Sequence, residues 1–156
     1  MTRLGFVLTA ILGLASIVAP VAAQTGASGV TGAAEGIFSN GATFNGVPLS
    51  GLTAGQGIFI APDGSATGQF QAVLVGTSLL GTPQNVVVEG EVRNGSFGGD
   101  VTATFSGAAT VNMGDGTLPL VGVPFTVTAS TGSLALILDV TALPAATVTA
   151  GSITIE

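Results

Sequence analysis

The chain has 156 residues with no cysteine, histidine, lysine, tyrosine or tryptophan, and eight acids against two arginines give a net charge of −6. Those absences exclude Ser/His/Asp and Cys/His triads, imidazole and thiolate metal centres, Schiff-base chemistry and a disulfide framework. The negative charge opposes nucleic acid and anionic membrane surfaces.

The first residues, "MTRLGFVLTAILGLASIVAPVAAQ", place Arg3 before an apolar run from Leu4 to Val18, then Pro20 and the small residues Val21, Ala22 and Ala23. This order of charge, apolar core and small residues is that of a secretory signal peptide. The run is shorter than the ~20 apolar residues a bilayer-spanning helix needs. Cleavage is expected after Ala23, so residues 1–23 are read as signal peptide and the protein as secreted, without a transmembrane segment after cleavage. In the remainder Arg93 is the only base, against Glu35, Asp63, Glu89, Glu91, Asp100, Asp115, Asp139 and Glu156.

Residues 24–34 are rich in Gly, Ala, Ser and Thr and read as a flexible leader or a weakly formed first strand. From 35 to 156 short alternating runs separated by turn signals predict a single all-β domain. Asn40-Gly41 in "GIFSNGATF" marks a hairpin, because both residue types tolerate positive φ. Further turns are expected at Pro62-Asp63-Gly64, Asn94-Gly95, Asp115-Gly116, Thr131-Gly132 and Leu143-Pro144.

In "VTATFSGAATVN", residues 101–112, Val101, Ala103, Phe105, Gly107, Ala109 and Val111 share one parity, while Thr102, Thr104, Ser106, Thr110 and Asn112 take the other. That is a strand with one dry and one wet face. In the last strand the apolar parity shifts between Val148 and Ile153, which predicts a bulge near Ala150-Gly151. Helical periodicity is missing outside the signal peptide. The fold expected is an antiparallel meander of about eight or nine strands forming a β-sandwich or flattened barrel, with a closed up-and-down barrel as the alternative. Small residues at inward positions (Ala103, Gly107, Ala109, Gly122) favour close approach of two sheet faces.

"ATFSGAATVNMGDGTLPLVGVPFTVTAS", with "AGSITIE" further on, resembles the strand cadence of uncharacterised β-rich domains in secreted bacterial proteins. Those domains are often found beside adhesive or cell-wall-associated modules. The resemblance covers residues 101–156. It implies an all-β secreted domain and transfers no catalytic residue.

Glu89 and Glu91 fall on one strand face about 7 Å apart, a spacing open to acid/base work on glycosides. Arg93 shares that face, however, and no Trp or Tyr could stack a sugar, so a solvated face is expected. Asp63 and Asp115 each stand before a glycine, where an aspartate favours the turn, and neither has the company of acids a calcium loop supplies. The pairs Thr102/Thr104, Thr126/Thr128 and Thr147/Thr149 would suit an ordered surface, yet Thr is also an ordinary residue for a wet strand face. An outer-membrane barrel would carry aromatic girdles, which are missing here.

No catalytic, cofactor-binding or metal residue is therefore expected. The reading is a non-enzymatic secreted structural or interaction protein of the bacterial cell exterior, an envelope or matrix component. The alternative is a small β-barrel carrier of an apolar ligand. The partners considered are sheet edges of a second copy, a surface polymer or an apolar ligand. An interior cavity of ~300 Å³ or more would favour the carrier.

Overall fold

The computed structural model describes residues 28–99 and 101–156. The expected signal peptide and residues 24–27 of the leader lie outside them. The strands are β1 (Ser28–Phe44), β2 (Val47–Ile60), β3 (Ser65–Gly76), β4 (Val86–Phe97), β5 (Thr102–Asn112), β6 (Leu120–Ser130), β7 (Ser133–Leu138), β8 (Thr141–Ala142) and β9 (Ala146–Ile155). No helix occurs among the described residues, so none there could cross a membrane.

Every pairing is antiparallel, and the sheet closes on itself. Successive strands pair from β1 to β7, β7 pairs with both β8 and β9, and β9 returns to β1. β8 and β9 are successive pieces of one stave, separated by Leu143-Pro144-Ala145, where a proline cannot donate to the ladder. The product is an eight-stave up-and-down barrel rather than a sandwich.

An eight-strand barrel is just wide enough to be filled by its own side chains, and this one is. In β3, Ala66, Phe70, Ala72 and Leu74 are buried while Gln69, Gln71 and Val75 face out. β5 follows the predicted parity, with Ala103, Phe105, Ala109 and Val111 buried. Phe70 occupies the centre, its ring centroid 5.8 Å from that of Phe105 and 5.7 Å from that of Phe125. The small inward residues make room for these rings. A Cβ on Gly90 would stand 2.6 Å from Cε1 of Phe125.

The β1 strand begins within the stretch expected as leader. Ser28 to Ala34 pair with β2, and Val30 to Ala34 also pair with β9, because a closed sheet needs its first stave at full length. Gly32 and Gly151 allow that seam to form. Both have positive φ (140° and 78°), and a Cβ on either would strike a carbonyl oxygen of the facing strand, Ser152 or Ala33 respectively. The predicted bulge is present beside them: Glu35 pairs with Ala150 and Gly36 with Val148, which leaves Thr149 as the extra residue.

Four local expectations change. Asn40-Gly41 lies inside β1 at an irregularity between Ile37 and Ala42, and the chain instead reverses at Asn45-Gly46, both with positive φ. Asn94-Gly95 lies inside β4, just after a bulge at Arg93, and the reversal comes between Phe97 and Thr102. Gly122 is exposed rather than inward, because it is the bulged residue between Val121 and Val123. The turns at Pro62-Asp63-Gly64, Asp115-Gly116 and Thr131-Gly132 fall between strands as expected, whereas Leu143-Pro144 only interrupts the last stave and the chain reverses at Asp139-Val140 instead.

One end of the barrel, called upper here, carries the turns at 45–46, 77–85, 113–119 and 139–140. The lower end carries those at 61–64, between Phe97 and Thr102, and at 131–132, together with Ser28 and Glu156. The tip of the β1–β2 hairpin reaches across the upper mouth. Val47 and Leu49 lie against Gly76, while Phe44 borders a cleft with Val123 and Val140.

Candidate functional site

The side chains able to do acid/base chemistry lie outside the barrel and apart from each other. Glu89 and Glu91 project outward from β4, opposite Gln71 and Gln69 of β3, and line a shallow cleft of about 280 Å³ with Thr110. The Arg93 guanidinium is 3.8 Å from the Glu91 carboxylate, and both are well exposed. An exposed pair of this kind contributes little to stability.

Asp63 and Asp115 occupy turns at opposite ends. Asp63 accepts hydrogen bonds from the Ser65 hydroxyl (2.6 Å) and amide (2.9 Å), and Asp115 accepts the same pair from Thr117 (2.7 and 3.0 Å). These bonds, the hydroxyl first, hold both carboxyls below the usual aspartate range. Each turn is thus locked by a charged carboxylate, and that support is lost only as pH falls through the lowered pKa. Among the described residues no three acids gather as a metal site would require.

The structure brings together two of the three Thr pairs. On the outer face of β5 and β6, Thr102, Thr104 and Ser106 stand opposite Ser130, Thr128 and Thr126. The hydroxyls of Thr104 and Thr128 are 3.2 Å apart. Two rows of three hydroxyls make a neutral ladder on the barrel wall. Thr147 and Thr149 lie apart from it on β9, where the Thr149 hydroxyl donates to the Glu35 carbonyl at 3.3 Å.

Inside, the polarity is uniform. No polar residue is buried as a whole among those described, the reverse of an outer-membrane barrel with its polar interior and apolar exterior. Gln56 is the one interruption. It stands on the inward face of β2, between Gly32 and Phe70 in the ladder, and neither its amide nitrogen nor its amide oxygen has a partner. Nothing in the surrounding "TAGQGIF" marks it as different from the outward Gln69 and Gln71. Gln56→Met is expected to stabilise the barrel by about 1–2 kcal/mol, since an apolar chain of similar length removes the cost of an unsatisfied amide. Urea melts check this, and a loss of stability instead would mean that the amide holds a bonded water.

These features define a class: a closed, antiparallel, eight-stave barrel with an apolar filled interior and a charge-poor, hydroxyl-rich wall. Comparison of the chain with family models, with curated proteins and with solved structures finds no match.

Proposed function

We infer that the chain is a non-enzymatic structural or interaction protein of the bacterial cell exterior. The observation that carries this reading is the filled interior. Phe70, Phe105 and Phe125 cluster where a carrier barrel would keep its ligand, and the clefts that line the molecule are open grooves on its wall and at both ends. The exposed and scattered positions of Glu89, Glu91, Asp63 and Asp115 support a role without chemistry. A surface polymer suits the neutral hydroxyl ladder of β5 and β6. Sheet-edge pairing with a second copy would use stretches that closure leaves paired on one side only, such as Leu120–Val123 next to Pro124 and Thr149–Ile155 of β9, which begins at its bulge. Pro and bulges are common guards of such edges.

Native mass spectrometry of the protein recovered from outside expressing cells tests the reading. The expected species begins at Gln24 and carries no stoichiometric apolar ligand. A one-to-one lipid adduct would restore the carrier, and an intact Met1 would remove export.

A further inference from the structure

The five most exposed aliphatic side chains among the described residues all lie at the upper end of the barrel. Leu79, Leu80, Leu118, Val121 and Val140 are between 82 and 92 % exposed, whereas no other large apolar residue exceeds 59 %. Four of them come from three separate turns, and Val121 from the start of β6. Leu79 and Leu80 are the two central residues of a turn in which the Gly81 amide donates to the Ser78 carbonyl (2.9 Å) and the Ser78 amide to the Thr82 carbonyl (2.8 Å). The Ser78 and Thr82 hydroxyls, 2.7 Å apart, clamp the same turn. Turn tips normally take Gly, Asn, Asp or Ser, so a rigid turn that holds two leucines into solvent is unusual.

The three turns form one surface. The Gln84 side-chain amide donates to the Met113 carbonyl at 3.0 Å, which ties the β3–β4 turn to the β5–β6 turn. Val121 and Val140 then line a single cleft of about 390 Å³ with Leu120, Pro124 and Asp139. We propose that this apolar crown docks the protein on a lipid surface with zwitterionic headgroups.

Charge selects the headgroup. Asp115 and Asp139 flank the apolar tips, and the one described base, Arg93, lies on β4 toward the other end. Ammonium groups of zwitterionic lipid complement those carboxylates, while anionic headgroups would be repelled. Area weighs against a second copy as the occupant. Five such side chains offer on the order of 500 Å² of aliphatic surface, short of the roughly 800 Å² each partner gives a standard interface. A head-to-head pair would also oppose the same carboxylates. Tips standing this far clear of the barrel match a deformable apolar phase better than a rigid wall. Ser28 and Glu156 are at the lower end, where docking leaves them free. The assignment rests on the exterior location only for where lipid is met; vesicle binding by the purified protein is read without reference to it, so either can fail alone.

The test is flotation of the purified protein with vesicles of phosphatidylcholine and phosphatidylethanolamine, and with vesicles in which a third of the lipid is phosphatidylglycerol. Binding to the first is expected, and it should weaken on the second. Leu79→Ser with Leu80→Ser should lower it at least tenfold with an unchanged melting temperature, as should Val121→Ser with Val140→Ser. Phe59→Ser, near the lower end, should not change it. No flotation on the zwitterionic vesicles, an equal loss with Phe59→Ser, or binding that survives both double variants would overturn the proposal. So would a concentration-dependent dimer in sedimentation that the crown substitutions abolish, which would give the surface to a second copy.

Discussion

Phe70→Ala is expected to destabilise the barrel by about 4–5 kcal/mol, near the top of the range for a buried aromatic truncation. The ring is fully buried and contacts two others, so its removal leaves a cavity at the centre and takes the support from both Phe105 and Phe125. Aromatic pairs add about 0.5–1.5 kcal/mol beyond their area, and here two pairs go at once. Phe105→Ala, with one such pair, should cost about 3–4 kcal/mol. Thr104→Ala, on the opposite face of the same strand, should stay within about 0.5 kcal/mol. Urea melts of the three variants check the order. Similar losses for Phe105 and Thr104 would show that both faces of β5 carry the fold.

The second large effect is expected at the closing seam. Gly151→Val should cost roughly 3 kcal/mol or more, because positive φ and a clash with the Ala33 carbonyl act together. The loss should not be uniform. β9 would part from β1 first, and two exposed edges would then be available to other chains. The variant should therefore show association in sedimentation at concentrations where the parent protein shows none. Gly55→Ala is the control, since a Cβ there meets nothing within 4 Å. It should be neutral or slightly stabilising, as a glycine replaced without strain usually is. Equal behaviour of the two variants would dismiss the seam as the controlling feature.

What could be read in the sequence followed from periodicity. Alternation in "VTATFSGAATVN" identified the buried face of β5 because a half-buried strand imposes it on every second residue. The parity shift before Ile153 likewise revealed the bulge. Turn chemistry was less reliable for a physical reason: Asn-Gly favours positive φ wherever it occurs, and both hairpins and bulges use that conformation. Of the three Asn-Gly pairs, only Asn45-Gly46 turns the chain, while Asn40-Gly41 and Asn94-Gly95 lie in long strands at or beside irregularities. Closure itself was not legible, since it depends on β9 meeting β1, and no local pattern encodes a contact between the two ends of the domain. The same holds for the apolar crown. Leu79, Leu118 and Val140 are far apart along the chain, and only the alternating direction of the staves gathers them at one end.

The seam also bears on how the molecule forms. Neighbouring staves meet through short reversals, but Val30 pairs with Ile155, 125 positions further on. Loop-closure entropy makes such a distant contact slow and late in comparison with hairpins. A chain still emerging from a ribosome cannot make it before the ten residues of β9 are available. Until then the first stave lacks one of its partners and the Phe70 cluster has no complete wall around it. The barrel therefore stays open until β9 has joined β1.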